Sequence, residues 1–129
     1  MTSQLLGKSL VGFQDASGAA DSFRAISPET NRSLEPHFFS AAPEEVDRAA
    51  QLAHDAFSAY GQLSGKAKAA FLRSIASNIE SISDSLVART HLETSLPVPR
   101  LQGELARTCG QLRLFANVVE DGSWASCYC

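Results

Sequence analysis

The chain has 129 residues, 44% hydrophobic and 19% charged, with a formal net charge of −3. This length suits one domain, the apolar share excludes a wholly disordered chain, and the acidic balance argues against nucleic-acid or polybasic membrane surfaces. The apolar runs are far shorter than the ~20 residues that span a bilayer, and the N-terminus lacks the apolar core of a signal peptide. We therefore expect a cytoplasmic protein without a membrane partner.

Short apolar stretches and turn signals fill the N-terminal third. Residues 5–13 and 22–26 read as strands, and the turn signal at 15–18 predicts that they pair as a hairpin. A third extended stretch, 33–39, leads into the helical part. An isolated ribbon is marginally stable in water, and the chain offers no obvious partner sheet, which predicts that part of the fold is missing.

Helical periodicity begins at Pro43, which suits a first helical position, and Glu44 and Glu45 suit a helix N-terminus. Gly61 ends this helix, and Arg48 is spaced to pair with Glu44 on its outer face. The apolar residues that share its other face are Val46, Ala49, Ala50, Ala53, Phe57 and Tyr60.

A second start signal is Ser64, which stands before a stretch without glycine or proline from Lys66 to Leu96. This stretch predicts either one helix of roughly 25 residues or two helices joined by a kink near 81–85, where serines weaken helix propensity. Its apolar stripe consists of Phe71, Ile75, Ile79, Ile82 and Leu86.

The prolines of residues 96–99 interrupt the pattern, and a further helix follows until Asp121 and Gly122 close it. One face of this helix carries Leu101, Leu105, Thr108, Leu112, Phe115 and Val119. Together the patterns predict an α+β fold that is mostly α, with a hairpin at 5–39 and three or four amphipathic helices over 43–121.

Motifs for chemistry are sparse. The eight glycines form neither a G-x-G-x-x-G nor a P-loop pattern. The three cysteines are an odd number without a C-x-x-C pair, so we expect neither a disulfide framework nor a metal site. Cys109 lies mid-helix at the edge of the apolar face, which favours a buried thiol over a nucleophile.

The histidines and arginines also fit structural roles, with no catalytic or metal-binding pattern among them. His54 borders the apolar face of its helix, and His91 does not face Glu93, because residues two apart on a helix point in different directions. Arg100 is spaced to pair with Glu104. We therefore assign no catalytic, cofactor-binding or metal-binding residue.

Five local strings, in this order, resemble the start of the aldehyde dehydrogenase superfamily. Residues 23–30 resemble F-x-A-x-N-P-A-T, and 42–50 resemble T-x-E-D-V-D-x-A-V. Residues 71–76 match the helix L-x-x-I-A, and 93–97 match E-T-G-K/L-P. Residues 100–116 resemble R-x-x-G-E-x-x-R-T-x-x-Q-L-R-x-F-A of the ketoglutarate-semialdehyde (2,5-dioxovalerate) dehydrogenase branch.

Three positions depart from the family pattern. Ser27 stands where asparagine is usual, and Ala42 stands where a capping serine or threonine is common, at a cost of roughly 1 kcal/mol. Ser95 replaces a glycine that often stops a helix in the left-handed conformation, which predicts local strain.

The resemblance implies that residues 1–124 form the leading part of a dehydrogenase domain and that 125–129 are a non-family tail. In the family, the catalytic cysteine, the general-base glutamate and the dinucleotide-binding glycines lie further along the chain. Cys127 and Cys129 do not match the nucleophile's motif, so no family site residue transfers to this sequence.

Family members are homo-oligomers in which a cysteine thiolate attacks the aldehyde, hydride passes to NAD(P)+, and water releases the acid. The branch implies small acidic semialdehydes such as 2,5-dioxopentanoate as substrates. We expect a truncated aldehyde dehydrogenase that is inactive alone and associates through exposed apolar faces. The alternative is a short helical module that binds another protein.

Overall fold

A computed structural model describes residues 5–16 and 21–123, and the chain divides into two compact units, Met1–Gln62 and Leu63–Cys129. The predicted α+β order is confirmed: short antiparallel strands come first and four helices follow. The elements are β1 (Leu10–Val11), β2 (Gln14–Asp15), β3 (Ser22–Phe23), β4 (Phe38–Phe39), α1 (Pro43–Gly61), α2 (Gly65–Ser81), α3 (Ser83–Thr94) and α4 (Val98–Asp121).

The strands of the first unit form two separate ribbons. β1 pairs with β2, and β3 pairs with β4, so the prediction that 5–13 pairs with 22–26 is wrong. The reason is local: Gly12, with a φ of +67°, turns the chain inside the predicted first strand. The third extended stretch then supplies the partner of β3. The end of the predicted turn at 15–18 lies outside the described residues.

A close backbone approach holds residues near the N-terminus beside β4. The Phe39 amide donates to the Gly7 carbonyl oxygen at 2.9 Å. A Cβ at Gly7 would lie 1.8 Å from the carbonyl oxygen of His37, so only glycine fits there. Phe23 and Phe38 stack across the β3–β4 ribbon with ring centroids 5.8 Å apart.

Helix α1 has the predicted bounds but buries none of its residues. Ala42 provides no side-chain cap, as expected, and the Glu45 carboxylate compensates in part by accepting from the Ala42 amide at 3.0 Å. The guanidinium of Arg48 donates to Gln14 Oε1 at 2.9 Å instead of making the predicted pair with Glu44. The predicted apolar face is solvent-exposed, and Phe57 is 78% exposed.

In the second unit, the stretch after Ser64 forms two helices, which decides between the two alternatives. The Ser64 hydroxyl accepts from the Ala67 amide at 3.2 Å and caps α2 as predicted. Ile82, with φ −111° and ψ 13°, separates α2 from α3 inside the predicted kink region. Ser95 ends α3 at φ +56°, the left-handed conformation expected where the family carries glycine.

Helices α2 and α4 pack closely through small side chains. Gly65 faces the end of α4, where an added Cβ would lie 2.1 Å from the Val119 carbonyl oxygen. The seam between the helices is formed by Ala69, Ala76, Cys109 and Ala116, none of them more than 1% exposed. Within each helix the two seam residues are seven apart, which is two helical turns and keeps them on one face.

Candidate functional site

Cys109 is the cysteine within the described residues, and its thiol is inaccessible. It is 1% exposed in the middle of α4, and its Sγ lies 3.7 Å from the Ala76 carbonyl oxygen. This confirms the predicted buried thiol. Cys109 lies mid-helix, away from the N-terminus of α4, and its burial denies a substrate access to the sulfur. Cys127 and Cys129 lie outside the described residues.

Two of the histidines hold local structure. His91 Nδ1 donates to the Leu96 carbonyl oxygen at 2.7 Å, while Glu93 pairs with Arg89 at 2.6 Å, so His91 does not face Glu93, as predicted. His37 Nε2 accepts from Arg24 Nε at 2.8 Å across the β3–β4 ribbon. His54 is exposed on α1.

Two ion pairs join α2 to α4. Arg113 donates through both terminal nitrogens to Glu80, each at 2.6 Å. Arg73 donates to Glu120 at 2.6 Å and to Asn117 at 2.8 Å. Hydrogen bonds from the guanidinium groups hold the pKa of both carboxyls below their usual value. These arginines hold a helix pair together, which leaves them poorly placed to receive an anionic ligand.

The cross-helix pairs were not predicted from the sequence. A signal was present, because Arg73 and Glu80 are seven apart on α2, and so are Arg113 and Glu120 on α4. The prediction that Arg100 pairs with Glu104 is wrong. Glu104 instead pairs with Arg107 at 3.2 Å.

Several surface features are apolar. A groove of about 280 Å³ runs between α2, α3 and α4 and is lined mainly by Ile79, Leu86, Leu101 and Leu105. The outer face of α4, defined here as Leu114, Phe115 and Val118, lies on the side of the helix opposite Cys109. Phe115 was predicted to pack but is 56% exposed. Such surfaces suit association with another apolar surface.

Neither a cluster of metal-ligating side chains nor a membrane-spanning helix is present in residues 5–16 and 21–123. Within these residues, no three histidine, cysteine, aspartate or glutamate side chains gather closely enough to hold a metal ion. Of the helices in the same residues, none has both the length and the apolar content to cross a membrane.

Comparison with known proteins places the chain in a family. The model of the aldehyde dehydrogenase family matches residues 13–126. The chain is 49% identical over 120 residues to alpha-ketoglutaric semialdehyde dehydrogenase 2 of Azospirillum brasilense, covering 92% of this chain and 23% of that protein. It is 36% identical over 118 residues to alpha-ketoglutaric semialdehyde dehydrogenase of Acinetobacter baylyi, covering 92% of this chain and 22% of that protein. The chain thus spans less than a quarter of the length of these relatives, and it belongs to the aldehyde dehydrogenase family.

Proposed function

We propose that residues 1–124 form the N-terminal segment of a cytoplasmic dehydrogenase that oxidises alpha-ketoglutaric semialdehyde to the acid with NAD+ or NADP+. The observation that carries this proposal is the 49% identity over 120 residues to a relative with that printed name. We also propose that residues 125–129 form a non-family tail, of which the family match covers only the first two residues. The family chemistry would proceed through a cysteine thioester formed outside this segment.

Within such an enzyme, the segment contributes structure. The α2–α4 pair closes its own seam, while α1 and the outer face of α4 expose apolar side chains for the remaining fold to cover. Cys109 is buried in that seam and is therefore excluded from the thioester step. We accordingly propose that the chain alone does not oxidise aldehydes.

A chimera tests the proposed function. This chain would replace the matched 120 residues of the Azospirillum brasilense relative. We expect oxidation of alpha-ketoglutaric semialdehyde with kcat/KM within about tenfold of the unmodified relative, a barrier change of about 1.4 kcal/mol. The relative with the segment deleted is the control and should be inactive. A soluble, folded chimera without turnover would contradict the proposal.

The isolated chain provides the complementary assay. With the same aldehyde and either nucleotide, we expect no formation of reduced nucleotide above a protein-free control. The matched variant is Cys109→Ala, which removes the buried thiol. Turnover by the unmodified chain that this variant abolishes would overturn the assignment of Cys109 to structure.

The second candidate function is a short helical module that binds protein, including a second copy of itself. It is favoured by the exposed outer face of α4. Sedimentation velocity should then show association that rises with concentration, and the double variant Leu114→Gln, Val118→Gln should weaken it. A chain that stays monomeric throughout would contradict self-association.

A further inference from the structure

We draw no further inference here: the strongest candidate, the apolar groove between α2, α3 and α4, carries none because nothing in the described part of the chain shows what covers it.

Discussion

Both units contain helices with an apolar stripe, but the helices of the second unit bury residues against each other and the helix of the first unit buries none. In the second unit, α2 and α4 close a seam of small side chains, and Ala69, Ala76 and Ala116 have no exposed surface. In the first unit, α1 is at least as amphipathic as α2 and α4, yet none of its residues is buried. An apolar stripe therefore identifies the side of a helix that can pack, while burial depends on the partner that the fold provides. This contrast can be tested by substitutions that act in one unit only.

The largest expected effect comes from Gly65→Ala. The new Cβ would overlap the Val119 carbonyl oxygen, which is backbone and cannot rotate away, so the end of α4 must shift. We expect the free energy of unfolding of the second unit to fall by about 3 kcal/mol. Hydrogen exchange resolved by residue would measure it, with amides of the first unit as an internal reference.

The matched control for that change is Gly110→Ala. This glycine lies within α4, and an added Cβ there would meet nothing within 4 Å among the described residues. Alanine should therefore stabilise the helix by up to about 1 kcal/mol. A Gly65→Ala variant as stable as the Gly110→Ala variant would mean that α2 and α4 do not approach each other as described.

The next effect is a smaller loss from Cys109→Ala, which leaves a small void in the seam. We expect about 1 kcal/mol of destabilisation, measured by urea unfolding. Val46→Ala in α1 is the comparison, because Val46 is largely exposed and its truncation should stay within about 0.5 kcal/mol. Equal losses of stability from Cys109→Ala and Val46→Ala would contradict the contrast between the packed helices of the second unit and the exposed helix of the first.

A gain of similar size is expected from Ser95→Gly. Ser95 ends α3 in the left-handed conformation, where glycine carries no steric cost, so the second unit should gain about 1 kcal/mol. Ser74→Gly, at an exposed position inside α2, should lose about 0.5 kcal/mol instead. Thermal unfolding of both variants measures the difference, and a loss at Ser95 would contradict the strained helix end.

The smallest expected effect is a pH dependence that belongs to the second unit. The folded pKa values of Glu80 and Glu120 are lowered by their arginine partners, so both pairs stabilise the fold above the unfolded carboxyl pKa of about 4.5. This contribution is lost as pH falls through the lower folded values. In the variant Glu80→Gln, the melting temperature should fall less between pH 6 and pH 3 than in the unmodified chain. An unchanged slope would mean that the exposed pairs do not couple folding to protonation.

Local signals made the helices predictable. Pro43, Ser64 and Gly122 each mark a helix end through chemistry within one turn, and the structure follows all three. The strand partners could not be predicted in the same way. Strands of two residues carry little periodicity, and the partner of Phe23 is Phe38, fifteen residues away.

The candidate surfaces were only partly predictable, for a related reason. The burial of Cys109 follows from its position among apolar neighbours on α4, whereas the exposure of Phe115 depends on which side of α4 meets α2. That choice rests on contacts between residues far apart in the sequence, such as Gly65 with Val119 and Cys109 with Ala76. The spacing of such residues along a helix can be read from a single sequence, but the helix against which they pack cannot.

The two exposed ion pairs also disfavour a shifted register between α2 and α4. Because the alanines of the seam repeat every seven residues, sliding α4 along α2 by about 10 Å would again place small side chains together. In one direction the slide would bring Glu80 opposite Glu120, and in the other it would bring Arg73 opposite Arg113. Each misalignment sets like charges against each other. The salt bridges thus favour the observed register of α4 along α2 over registers shifted by seven residues.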